Sequence, residues 1–278
     1  MKTLQERMLH EMQRRNYSTR TIGSYQSCLK SLSSYYSCPL DEISIDQIKS
    51  YLHFYIVERN CSISFINQTI SAVKILHHDV LKIGWDTLDI KRPKRPKRLP
   101  IVLSKQEALS IVNALDNIKH KAILMVGYSA GLRIGEVINL KAQHIDSKRM
   151  QIRIVGGKGK KDRNTILSKT TLAVLRQYYR TYQPKKWLFE GLGATHCQYS
   201  TTSISSILHK ACFKAGIKKK ITFHTLRHSF ATHLLEQGTS IYVIQRLLGH
   251  SHISTSSMYV HVQQHSLDQV TSPIDTVS

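Results

Sequence analysis

Acidic residues are scarce in this chain. Among 278 residues, 18 are Asp or Glu and 40 are Lys or Arg, a formal charge of +22. So one-sided a field repels basic partners and attracts polyanions, with nucleic acid the commonest and a membrane surface the alternative. Long apolar runs are missing too. No stretch approaches the 18 or so residues a spanning helix needs, so an integral membrane protein is not expected. The opening residues, from Met1 to Arg7, contain no apolar signal core, which points to the cytoplasm of a bacterium. The five cysteines, Cys28, Cys38, Cys61, Cys197 and Cys212, are odd in number and scattered, without a Cys-x-x-Cys. That spacing argues against a disulfide scaffold or a zinc knuckle and leaves reduced thiols as the default. Internal repeats are absent.

What is present is an apolar fraction of 41%, ordinary for a globular protein. A length of 278 residues suggests one or two domains with real cores. Three of the six prolines fall in one segment, Lys91-Arg92-Pro93-Lys94-Arg95-Pro96-Lys97-Arg98-Leu99-Pro100. Proline fixes φ and removes backbone donors, and six like charges repel one another, so this stretch reads as an extended linker at 93–100. Its cations Lys91, Arg92, Lys94, Arg95, Lys97 and Arg98 are candidates for tracking phosphates. It divides the chain into residues 1–92 and 101–278.

The first part reads as a helical bundle. Ile22, Tyr25, Leu29, Leu32 and Tyr36 recur every three or four residues, and so do Ile66, Ile70, Val73 and Val80. The first helix is expected near Thr19, and Ser44 or Asp46 is placed to cap another through Ile48, Leu52 and Ile56. The second part is mixed. Helical spacing runs through Ala108, Ile111, Val112 and Leu115, and again from Thr202 onward with breaks at Gly216, Gly238 and Gly249. Between them, Ile152-Arg153-Ile154 alternates like a half-buried strand, and Thr165-Ile166-Leu167 reads as its return. The expected class is mainly α with a small β-sheet.

Five fragments carry the chemistry. They are Gly131-Leu132-Arg133-Ile134-Gly135-Glu136, Gly156-Gly157-Lys158-Gly159-Lys160-Lys161, His224-Thr225-Leu226-Arg227-His228, Leu248-Gly249-His250, and Tyr259 nine residues further on. Each alone is weak, because the chain has 15 histidines and 13 tyrosines. As an ordered set they supply two phosphate-holding arginines, proton-moving lysine and histidine, and a nucleophile. Attack on a phosphodiester adds negative charge to its oxygens, and a planar guanidinium that never deprotonates suits that charge. Arg133 sits between Leu132 and Ile134, so it needs a partner, and Glu136 one turn on is placed to orient it. The Gly-rich turn is no nucleotide loop, since it lacks Gly-x-x-x-x-Gly-Lys-Ser/Thr and lies between strands. His224 and His228 share the four-residue spacing of zinc ligands, with His233 nearby. However, Thr225 stands where a zincin needs Glu, so no metal is assigned.

In this order and with these neighbours, the set resembles the tyrosine recombinase (phage integrase) family, and most closely its compact Xer-like members. The resemblance is densest from about Leu103 to Val262. It implies a two-domain protein. Residues 1–92 would be a SAM-like core-binding domain and 101–278 a catalytic domain, together a C-shaped clamp on double-stranded DNA. It implies that Arg133 and Arg227 hold the non-bridging oxygens of the scissile phosphate. Lys158 would then be the general acid, His224 the proton acceptor or phosphate contact, and His250 a hydrogen-bond donor. Tyr259 would be the nucleophile that forms a 3′-phosphotyrosyl bond. A phenol with a pKa near 10 is only about 0.1% ionised at pH 7, so Tyr259 needs that cationic site. Glu136 would act from behind, and Lys160 and Lys161 would meet DNA as basic turn residues, with Lys160 the nearest competitor to Lys158 for the catalytic role. The covalent link conserves the ester energy, so neither ATP, metal nor other cofactor is needed. Strand exchange through a Holliday junction implies a homo-tetramer on two duplexes, or a hetero-tetramer with a related recombinase. The alternatives are a type IB topoisomerase-like activity and a catalytically silent DNA-binding protein.

Overall fold

The computed structural model describes residues 3–84, 90–94, 100–156, 162–191 and 196–249. The chain divides into two compact units, Met1–Lys97 and Arg98–Ser278.

In the first unit, short polar side chains start the helices. Thr3, Ser18, Ser44 and Ser62 each accept a hydrogen bond from a backbone N–H of the following turn. They open α1 (Leu4–Arg14), α2 (Thr19–Tyr36), α3 (Ile45–Val57) and α4 (Ile63–Lys74). The helix α1 corrects the expectation that helices begin near Thr19. Only Met8 and Met12 of α1 are buried, so its apolar stripe is thin, while the Thr3–Glu6 capping box is its clearest signal. Helix α4 runs on into a π-helical segment, Ile75–Leu81, so the α-helical spacing read through Val80 holds only to Lys74. Ile22, Leu29, Leu32, Ile48, Ile66 and Ile70 fill the core, with Tyr25 and Tyr36 packed at its edge. Arg15 pairs with the largely buried Asp79 at 2.7 Å, tying the end of α1 to the π-helical segment. Arg92 is not a bare linker cation, because it donates to the Asn67 carbonyl, the Asn67 side chain and Ser71 Oγ on α4.

The second unit begins with α5 (Lys105–Asn113) and α6 (Ile118–Ser129), followed by the short α7 (Ile134–Ile138). Then comes an antiparallel sheet of β1 (Ile145–Asp146), β2 (Gln151–Ile154) and β3 (Arg163–Ile166), in the order β1-β2-β3. The unit continues through α8 (Lys169–Tyr182), α9 (Thr201–Lys214), α10 (Phe223–Glu236) and α11 (Ile241–Leu248). Strand β1 has only two residues, too few for a sequence pattern. In β2, Ile152 and Ile154 face the core and Arg153 faces out. Opposite Ile154 in the register stands Arg163, and opposite Ile152 the buried Thr165. Thr165 donates to the Ala130 carbonyl and so fastens β3 beneath the α6–α7 turn. The protein is mainly helical with one small sheet. Among the described residues, no helix is long and apolar enough to cross a membrane.

Candidate active site

Four elements bring the candidate residues together in the second unit. The α6–α7 turn needs a left-handed residue at Gly131, with φ of +62°. A Cβ there would lie 2.4 Å from the Phe230 ring and 2.9 Å from Leu248, so α10 and α11 close tightly on this turn. Arg133 follows at the start of α7, and its backbone N–H donates to Glu136 Oε2 at 2.9 Å. Its side chain, still 23% exposed, donates to Glu136 Oε1 at 2.8 Å.

Glu136 is the hub. Arg163 from β3 grips it with both terminal nitrogens, each at 2.8 Å, a bidentate pair. Arg227 Nη1 lies 3.7 Å from its Oε2. Burial of Glu136 pushes its carboxyl pKa up. The hydrogen bonds and charge of Arg163, joined by those of Arg133, outweigh burial and hold the pKa down at about 2. The carboxylate is therefore ionised at all physiological pH.

Arg227 on α10 has no exposed surface. Its Nη1 donates to the Gly131 carbonyl at 2.7 Å and its Nη2 to the Leu248 carbonyl at 2.6 Å. Arg163 Nε donates in turn to the Leu247 carbonyl at 2.8 Å. The end of α11 is thus held by two arginines. Gly249 follows in the left-handed region, φ +63°, and a Cβ on it would come within 2.7 Å of Arg163 Cδ.

His224 and His228 sit one turn apart on α10, their ring centroids 4.4 Å apart and nearly perpendicular. Burial against the surrounding protein, with the charges of Arg227 and Arg133, holds His224 below the ordinary imidazole pKa. Burial, then His224 and Arg227, brings His228 down to about 4. Both rings are neutral at pH 7, and His224 lies at the exposed side of the cluster. His233 points elsewhere. Its Nε2 donates to the Leu103 carbonyl, which leaves Nδ1 to accept from Tyr128 O–H at 2.8 Å. Both of its nitrogens are engaged in packing α10 against α6 and the segment before α5, so it is no third ligand beside His224 and His228. Among the described residues, no group of three or more His, Cys, Asp or Glu is placed to hold a metal ion.

The structure therefore gathers Arg133 and Arg227 around the Glu136 carboxylate, and places His224 within the field of both arginines. Lys158, Lys160, Lys161, His250 and Tyr259 lie outside the described residues, as do Arg95, Lys97 and Arg98. Arg163 escaped the sequence reading. One signal was available: period-two alternation puts Arg163 on the same face of β3 as Thr165, where a lone arginine needs a carboxylate.

Known proteins are similar along nearly the whole chain. Residues 102–266 match the phage integrase family, and residues 4–87 match the phage integrase N-terminal SAM-like domain. A putative integrase/recombinase of Sinorhizobium fredii is 35% identical over 276 residues, 99% of this chain and 89% of that one. Tyrosine recombinase XerD of Staphylococcus saprophyticus is 30% identical over 286 residues, 95% of each chain. The structure of XerH site-specific recombinase, bound to a palindromic difH substrate in a post-cleavage complex, has a TM-score of 0.71. It covers 94% of this chain and 82% of XerH at 19% identity, a likeness of fold.

Proposed function

The chain belongs to the phage integrase, or tyrosine recombinase, family, and from that premise we propose that it is a site-specific DNA recombinase whose strand-cleaving centre is built on the Glu136 hub. The reading is carried by the pairing of Arg133 and Arg227 with one buried carboxylate inside the matched region, with His224 near enough for both arginine charges to lower its pKa. Arg133 keeps solvent contact and Arg227 does not, so capture of a phosphate begins at Arg133. The two guanidinium groups stabilise charge that builds on the non-bridging oxygens during attack. Neutral His224 accepts a proton or donates one hydrogen bond, as the step requires.

Tyr259 attacks the phosphorus and takes the 3′ end as a phosphotyrosyl ester. Lys158 protonates the departing 5′ oxygen, and His250 donates to a non-bridging oxygen. Rejoining reverses these steps on another strand, with no ATP or metal in the balance. Residues 1–92 serve as the core-binding domain and 101–278 as the catalytic domain. Lys91, Lys94, Arg95, Lys97 and Arg98 of the linker, with Lys160 and Lys161, meet phosphates, while Arg92 acts from its seat on α4. The working assembly is an Xer-like tetramer on two duplexes in the cytoplasm. The relatives named as recombinases favour this reading over a topoisomerase or a silent binder.

Covalent capture tests it. The protein and Tyr259→Phe are each mixed in EDTA with nicked fragments of the source genome. Adducts stable to denaturant are then isolated and sequenced. Adducts made by the unmutated protein alone, converging on one sequence, are expected. Equal adducts from Tyr259→Phe would reject that nucleophile, and none from either, with DNA still retained, would reject the enzyme reading.

A further inference from the structure

Arg163 makes three of the bonds that hold the site together, yet the chemistry above gives it nothing to do. Its three nitrogens make three charge-assisted bonds: two to the carboxylate of Glu136 and one to the Leu247 carbonyl, all at 2.8 Å. Its side chain is 9% exposed, so these bonds are shielded from water. Glu136 holds Arg133 directly, and the residue after Leu247 supplies the carbonyl that holds Arg227. Among the described residues, Arg163 joins the carboxylate behind Arg133 to the α11 end by hydrogen bonds at both ends, whereas Arg227, bonded to the Leu248 carbonyl, stands 3.7 Å from that carboxylate. Arg163 also explains Gly249, since any Cβ there would meet Arg163 Cδ at 2.7 Å.

We propose that Arg163 is a positioning residue for DNA cleavage: its fork fixes the Glu136 carboxylate and the end of α11 in one frame, which sets the separation of the two phosphate-holding arginines. The inference rests on the recombinase reading. A guanidinium is required because lysine, a point donor on a flexible stem, cannot hold two carboxylate oxygens and a carbonyl in fixed directions. The effect on reaction comes from misplacement of charge by a fraction of a bond length, to which a preorganised anion site is sensitive.

The test compares the unmutated protein with Arg163→Lys and Gly249→Ala. The second variant keeps the guanidinium but presses a methyl group on the same side chain, and also strains the left-handed backbone at 249. The substrate is a nicked duplex bearing the sequence recovered by covalent capture. It is made once with the natural scissile phosphate and once with a methylphosphonate, which lacks one anionic oxygen. Adduct formation is timed at saturating protein, and DNA retention is measured beside it. On the phosphate, each variant is expected to slow adduct formation by roughly a hundredfold, the scale of losing one preorganised donor. On the neutral methylphosphonate the loss shrinks to well under tenfold, because less charge depends on the arginine pair, and retention changes little. A rate like that of the unmutated protein, or an equal loss on both substrates, overturns the proposal; the second result would mark Arg163 as part of the scaffold only. Absence of adducts from the unmutated protein would instead sink the recombinase reading, and this inference with it.

Discussion

Glu136 concentrates the consequences at the scale of single residues. Its folded pKa of about 2 lies below the ordinary 4.5, so its ionisation stabilises the fold at every pH above about 4.5. That contribution is lost as pH falls towards 2, and is worth about 3 kcal/mol by linkage. Glu136→Gln should therefore lower stability at pH 7 by roughly 3 kcal/mol or more, since buried guanidinium groups lose their counter-charge. Its stability should also vary less between pH 4.5 and 2 than that of the unmutated protein; urea titrations at several pH values measure both, and an unaltered pH dependence would contradict the hub. His224 is shifted in the same direction, but its form at neutral pH is the uncharged one. Held below the ordinary imidazole pKa, it is neutral at pH 7 and gains its proton only as pH drops beneath 6.5. Cleavage should be flat from pH 7 to 8 and decline on the acid side, and a single-turnover profile that rises towards pH 5.5 would contradict a neutral His224 as the active form. Arg133 was legible from sequence because an arginine between Leu132 and Ile134 demands a partner. Arg163 was not, because its partners Glu136 and Leu247 stand 27 and 84 residues away along the chain.

Elements were legible where burial imposed a long period. The stripes of α2 and of the first part of α4, and the alternation of Ile152 with Ile154, marked the helical and strand segments because each buries one face. Helix α1 was missed because two methionines make too thin a stripe, and β1 because two residues carry no period. The π-helical segment after α4 does not follow the three- and four-residue spacing by which α-helices were read, so the sequence did not mark it. The turn that presents Arg133 depends on Gly131, where a Cβ would meet Phe230 and would make the existing left-handed φ of +62° unfavourable. Gly131→Ala should cost about 2 kcal/mol or more and loosen α10 and α11. Gly135→Ala, with nothing within 4 Å of the added carbon, should be neutral or slightly stabilising. Thermal melts of the two variants check the contrast; equal melting temperatures would refute the close packing at the turn.

For the whole molecule, the charge of +22 was plain from composition, and the mainly helical class with its small sheet from the periodicity of apolar residues. DNA affinity should fall steeply and linearly with the logarithm of salt concentration, as condensed counterions are released, and a flat response would count against a phosphate-tracking surface. Cleavage should persist in excess EDTA, and a full loss restored by a divalent ion would overturn the metal-free chemistry. Net charge draws DNA to the molecule at large but does not single out one phosphate. The carboxyl end of α11 suggests what does. Its peptide dipoles present fractional negative charge through the Leu247 and Leu248 carbonyls, and these face Arg163 and Arg227. Fractional charge steadies a guanidinium without cancelling it. Three guanidinium groups share one full carboxylate, 3 − 1, leaving a surplus of two positive charges. On the recombinase reading, a phosphate arriving there meets guanidinium groups and dipoles already oriented by the fold, so much of the cost of arranging charge around its developing oxyanion has been met during folding.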